Sequence, residues 1–78
     1  MARIDVFERV RMDRVSLHGP TKCTYDVFQI AGGKRLFQLS TYGSNQRERQ
    51  GQMSQTIQLT EESARQLLRI LKEEGFDS

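Results

Sequence analysis

The chain has no tryptophan, one cysteine (Cys23), one histidine (His18) and one proline (Pro20) among its 78 residues. A lone cysteine excludes an intrachain disulfide. One Cys with one His cannot furnish the four ligands of a structural zinc site, so no metal or other cofactor is expected. No stretch approaches the roughly 18 consecutive apolar residues of a membrane span, and the opening Met-Ala-Arg-Ile-Asp lacks the basic and apolar regions of a secretory leader. A cytoplasmic location is the expectation. Apolar mass is also short, at 36% hydrophobic residues. A chain of this length makes one domain, residues 1–78, and buries only about 60% of the surface its unfolded form exposes. With neither disulfide nor metal to compensate, association with a second copy is the expected remedy.

Charge is plentiful and of both signs, 12 Lys and Arg against 10 Asp and Glu, for a net charge of +2. Its distribution says more than its sum. Residues 1–59 hold nine of the basic residues (Arg3, Arg9, Arg11, Arg14, Lys22, Lys34, Arg35, Arg47, Arg49) and five acidic ones, a net charge of +4. Residues 60–78 hold three basic and five acidic residues, a net charge of −2. A basic body with an acidic tail can turn one positive face to a polyanion, although a solvated mixed-charge surface accounts for the same counts.

The clearest local pattern is the last. Ala64, Leu67, Leu68 and Leu71 recur at helical spacing, Thr60 suits the N-cap, Glu61 and Glu62 set negative charge in the first turn, and Gly75 suits the C′ position. These signals predict a helix over 61–74, with Phe76 folding back onto Leu71 in a Schellman cap. Leu59 and Ala64 occupy the positions of a hydrophobic staple. Ile70 lies well off the Leu67–Leu71 line, so the helix is apolar on more sides than one sheet covers. Leu67, Ile70 and Leu71 are therefore candidate dimer-interface residues.

Upstream the period changes to two. Met53 to Leu59 alternates, turning Ile57 and Leu59 inward and a polar row of Ser54, Thr56 and Gln58 outward. Tyr25 to Ile30 and Lys34 to Tyr42 are rich in β-formers and are joined by Ala31-Gly32-Gly33, a hairpin signal. Between Tyr42 and Met53 runs a segment without an apolar residue, bounded by Gly43 and Gly51, which reads as a solvated functional loop. Arg9 to Leu17 is read as a further strand that ends before Gly19-Pro20, and residues 1–8 as frayed or paired with a partner chain. The expected class is α+β: a four-stranded antiparallel sheet followed by one C-terminal helix (β-β-β-β-α), homodimeric.

Catalytic chemistry is hard to assemble. His18 and Cys23 make a nucleophile and base on paper, but a lone Cys in an alternating segment reads first as a small buried hydrophobe. Asp5, Asp13, Asp26 and Glu48 fall on separate elements, and Gly32-Gly33-Lys34 lacks the rest of a P-loop. The chain is read as nonenzymatic. Binding chemistry is better supplied. Single-stranded nucleic acid is held by aromatic rings that stack bases and by cations that track phosphates. Tyr25, Phe28, Phe37 and Tyr42 lie on strands among Lys22, Lys34, Arg35, Arg47 and Arg49. Phe28 and Phe37 are expected to face the helix as core, whereas Tyr25 and Tyr42 suit core and surface equally. Asn45, Gln46 and Gln50 beside the loop arginines add hydrogen-bonding groups for bases or sugars.

The order of elements, with a basic glycine-bounded loop followed by Ser54-Gln55-Thr56-Ile57-Gln58-Leu59-Thr60-Glu61-Glu62 running into an amphipathic helix, resembles the positive cofactor four family of transcriptional coactivators. The likeness spans roughly residues 9–75. It implies a homodimer with helices at the interface and single-stranded DNA crossing the sheets. Lys34, Arg35 and Tyr42 would then lie near the bound strand, and Arg47 and Arg49 against phosphates. Tyr42 stands where the family often has Trp or Phe, and the loop has less lysine, which implies weaker stacking and more hydrogen bonding. The segment from Cys23 to Gly43 is also similar to small uncharacterised bacterial proteins, a likeness that implies no activity.

The candidate nucleic-acid-binding residues are thus Lys22, Tyr25, Lys34, Arg35, Tyr42, Asn45, Arg47 and Arg49, in a module for transcription or DNA metabolism. The alternative is a protein-interaction module or small regulator acting through its dimer surface or an exposed sheet edge.

Overall fold

Alternating β-formers and a capped amphipathic segment sort the chain into a sheet and one helix. A computed structural model describes residues 1–42 and 53–78, and places strands at Ala2–Ile4 (β1), Cys23–Ile30 (β2), Lys34–Tyr42 (β3) and Met53–Thr60 (β4), followed by helix α1 at Glu61–Glu73. The sheet order is β1-β4-β3-β2. β2 pairs antiparallel with β3 from Cys23 opposite Thr41 to Ile30 opposite Lys34, and β3 pairs antiparallel with β4 through Phe37–Leu59 and Leu39–Ile57. The β2–β3 connection is a three-residue turn in which Gly32 and Gly33 take φ of 79° and 70°. Side chains with a Cβ rarely adopt that region, so the turn requires the two glycines.

Two expectations about the sheet are corrected. It is mixed rather than antiparallel, because β1 pairs parallel to β4, with Ala2, Arg3 and Ile4 opposite Ile57, Gln58 and Leu59. Ala2–Ile4 is thus held in the sheet rather than frayed. No strand forms over Arg9–Leu17 either. The chain leaving β1 is drawn along α1 instead, where the Phe7 N–H donates to Gln66 Oε1 at 3.2 Å and Gln66 Nε2 donates to the Asp5 carbonyl at 3.3 Å. Arg9 Nη1 then reaches Glu74 Oε2 at 2.7 Å near the end of the helix. Gln66 thus satisfies one backbone group each of Asp5 and Phe7, and the Arg9 side chain is held at the helix end.

α1 starts where its cap residues dictate. Thr60 Oγ1 accepts from the Ser63 N–H at 3.1 Å, and Ser63 Oγ accepts from the Thr60 N–H at 2.9 Å, a reciprocal capping box with Ser63 fully buried. At the other end Gly75 is left-handed (φ 84°), the Gly75 N–H donates to the Lys72 carbonyl and the Phe76 N–H to the Leu71 carbonyl. This is the Schellman backbone pattern. The Phe76 side chain does not fold back; it stays exposed.

The pleat assigns each residue to a face. Ile4, Leu59, Phe37 and Val27 form a row on the side that α1 covers, joined by Ile57, Leu39 and Tyr25. Leu59, 3% exposed, is the buried apolar side chain among the described residues, with Phe37, Leu39, Ile57 and Leu67 half-buried around it. Phe28 does not join them. Adjacent to Val27, it points to the opposite face and is largely exposed. Cys23 is exposed as well, not a buried hydrophobe, since it begins an edge strand. Leu68, Ile70 and Leu71 lie exposed on α1.

Candidate nucleic-acid interface

The face of the sheet away from α1 carries cross-strand rows that change character along the strands. Phe28, Leu36 and Thr60 form one row, Asp26, Gln38, Gln58 and Arg3 the next, and Thr24, Ser40 and Thr56 the third. The last two rows are dominated by uncharged hydrogen-bonding groups. Gln58 Nε2 donates to Gln38 Oε1 at 3.0 Å, and Ser40 and Thr56, on the two central strands, are buried among their neighbours. Thr56 and Gln58, of the polar row read from β4, are on the outer face as expected, but Thr56 is shielded and Gln58 half-buried, because β4 has a strand on either side.

Beyond these rows, at the end of β3, stands Tyr42. Its ring lies under the Lys22 ammonium, 5.0 Å from Nζ to the ring centroid, and its hydroxyl is 3.1 Å from Thr24 Oγ1. The Thr21 hydroxyl donates to the Tyr42 carbonyl, tying the segment before β2 to the end of β3. A cation held against an aromatic face is favourable by about 0.5–1 kcal/mol at an exposed site. Thr24, Asp26, Gln38, Ser40 and Tyr42 border an open depression of about 290 Å³. It is too shallow to enclose a small ligand and is suited to something laid across the sheet.

The remaining sequence-derived candidates divide between the faces. Lys34 is on the open side, near Arg3 and Ile30, and Arg3 is engaged with Asp5 at 3.0 Å. Tyr25 faces the other way and stacks on Phe37, centroids 5.7 Å apart. Arg35 also faces the helix side, where its Nε donates to Glu61 Oε2 at 3.0 Å in the first turn of α1. Arg65 Nη2 lies 3.5 Å from the other Glu61 oxygen. The Arg35 hydrogen bond holds the Glu61 carboxyl below its ordinary value of 4.5, aided by the charges of Arg35 and Arg65 against some desolvation. Arg35 and Glu61 thus belong to the helix junction. Asn45, Arg47 and Arg49 lie outside the described residues.

Sequence reasoning missed Arg3, Gln38, Ser40 and Thr24 as members of the open face. Their signal was present in the hairpin: once Gly32-Gly33 sets the β2–β3 register, parity alone puts Thr24, Ser40 and Tyr42 together. Among the described residues no His, Cys and carboxylate cluster suits a metal ion, and His18 and Cys23 are both exposed. Compared with known proteins, the chain matches no family model, no curated protein and no solved structure.

Proposed function

We propose that the chain is a nonenzymatic, homodimeric module that binds single-stranded nucleic acid across the open face of its sheet. The observation that carries this reading is the Lys22–Tyr42 pair, which offers a stacking surface and a cation together beside rows of hydroxyl and amide groups. A base stacked at Tyr42 brings its phosphate within range of Lys22. Bases further along meet Gln38, Gln58 and the Thr24 hydroxyl as hydrogen-bonding partners. Lys34 and Arg3 continue the positive charge toward the other end of the sheet. Arg47, Arg49 and Asn45, which follow Tyr42 in the sequence, are proposed to extend the contact. Tyr25 and Arg35 are left out of it, being turned toward α1. The helix is proposed to meet a second copy through Leu67, Ile70 and Leu71, since one sheet leaves Ile70 and Leu71 exposed.

Fluorescence anisotropy with single-stranded and duplex oligonucleotides at several salt concentrations tests the reading. Arg3, Lys22 and Lys34 alone give a log–log salt slope of about −2, at roughly −0.7 per phosphate neutralised on a single strand. Lys22→Ala is expected to flatten the slope by about 0.7, and Tyr42→Ala to weaken binding by about 1–3 kcal/mol at unchanged slope. Absence of salt-dependent binding at micromolar protein refutes the reading.

The protein-interaction alternative has one observation in its favour, the exposed outer edge of β2. Reversing the charges of Arg47 and Arg49 separates the two readings. It is expected to abolish oligonucleotide binding and to leave a protein partner bound.

A further inference from the structure

Among the described residues, two segments suited to β pairing have no strand beside them. The first is β2, whose outer side is the edge of the sheet and whose eight residues are all exposed. An edge of that length is one that proteins ordinarily cover or blunt, and here the Val27 N–H is taken up by Asp26 Oδ1 at 2.7 Å. The second is the arm formed by residues 10–17, exposed throughout, with Val15 at 95% and Leu17 at 101% of full exposure. None of these residues makes a hydrogen bond or ion pair among the described residues.

The two segments match in detail. Laid antiparallel with Arg14 opposite Asp26, the single charged residue of β2, the arm sets Leu17 against Cys23, Val15 against Tyr25, Met12 against Phe28 and Val10 against Ile30. β2 changes its apolar side between Val27 and Phe28, and the arm changes its own between Met12 and Val15. This register brings the two changes together. A shift by one residue leaves at most one apolar pair within β2, Met12 with Val27, and sets Leu17 and Val15 against polar residues. Net charge agrees too: residues 10–17 carry Arg11, Asp13 and Arg14, and β2 carries Asp26.

Pairing with β2 of its own chain, through residues 18–22, requires the arm to leave its present course. Own-chain pairing puts Val10 beside Ile30, at the end of the sheet where α1 begins. Arg9 is held instead by Glu74, just past the far end of the 13-residue helix. A second copy's edge requires no such release.

We propose that residues 10–17 of one chain pair antiparallel with β2 of a second copy, Arg14 facing Asp26, in a reciprocal exchange that adds a fifth strand to each sheet. Two-fold symmetry makes the contact self-complementary and leaves neither β2 edge open. The interface runs along the β2 edge and shares Asp26 with the open face, and it stands whether or not that face takes nucleic acid.

Site-directed cross-linking of the full chain tests it. In a Cys23→Ser background, chains carrying Arg11→Cys are mixed with chains carrying Gln29→Cys in a glutathione redox buffer and resolved without reductant. The proposed register places these positions opposite each other, so a disulfide-linked heterodimer is expected in several-fold excess over either homodimer. Adding Val15→Lys and Leu17→Lys to the first chain is expected to abolish the heterodimer without altering the circular dichroism spectrum, since both side chains are free in their own chain. Three results overturn the proposal: free thiols throughout the mixture, an intrachain disulfide in a chain carrying both cysteines, or cross-linking undiminished by the lysines. A dimer formed through α1 alone yields the first of these.

Discussion

Replacing Leu59 by Ala probes how little holds this fold together. Leu59 is 3% exposed on a central strand, under the first turns of α1, and no other apolar side chain among the described residues is buried as fully. Leu→Ala substitutions in cores cost about 2–5 kcal/mol, the spread reflecting how far the surroundings close over the lost volume. An apolar crevice of about 150 Å³ lined by Val27, Phe37 and Ala64 already adjoins Leu59, so water and neighbouring side chains have access to the space. That argues for the lower half of the range, about 3 kcal/mol. A domain of this size commonly has only about 4–12 kcal/mol of stability in all. With 1 kcal/mol shifting the midpoint by roughly 4–8 °C in a domain of this size, Tm is expected to fall by about 12–24 °C. Thermal unfolding followed by circular dichroism is the assay, at one protein concentration because association makes the midpoint concentration-dependent. Leu68→Ala, at a half-exposed position on α1, is the control and is expected to move Tm by less than about 4 °C. A Leu59→Ala shift no larger than that of Leu68→Ala refutes the assignment of Leu59 as the centre of the core.

Thr60→Ala removes one half of the capping box and leaves the Ser63 N–H without its acceptor; a loss of about 1 kcal/mol is expected, read as a lower midpoint in urea at unchanged slope. Glu61, whose carboxyl is held low by Arg35, contributes stability that is present above 4.5 and is lost as pH falls through its lowered folded-state value. Glu61→Gln is therefore expected to lower the midpoint at pH 7 and to flatten its decline on acidification; an unchanged acid limb contradicts the pairing. Ile70→Glu on the exposed side of α1 is expected to shift light scattering toward the 9.1 kDa monomer if that face meets a second copy, with the helical signal retained.

How much of this was legible in the sequence depends on the range over which each signal acts. The β3 strand, the Gly32-Gly33 turn and both ends of α1 are specified by neighbours within a few residues, and the structure follows them closely. β1 was invisible because Ala2, Arg3 and Ile4 are too few to show a period, and its partner β4 lies near the other end of the chain. Arg9 to Leu17 misled for the opposite reason. Alternation there is suited to a strand, but a strand forms only where an edge is within reach, and Gln66 and Glu74 draw the preceding residues along the helix. For the site, Lys22 and Tyr42 were found by residue type. Their separation from Tyr25 and Arg35 could come only from the register of β2 against β3, which decides the face each side chain takes.

The parallel pairing of β1 with β4 sets the order in which the molecule comes apart. The β2–β3 ladder closes across a three-residue turn, and α1 needs only its own neighbours, so both form in microseconds. β1 gains three residue pairs in return for joining positions more than 50 residues apart, a poor exchange for the entropy involved. It is the last piece to dock and the first to leave. When it leaves, the outer side of β4 is bared beside Leu59, and solvent reaches the core without α1 or the hairpin having moved. Three residues thus act as a latch on the fold, and the amide exchange of Gln58 and Leu59 reports how often it opens.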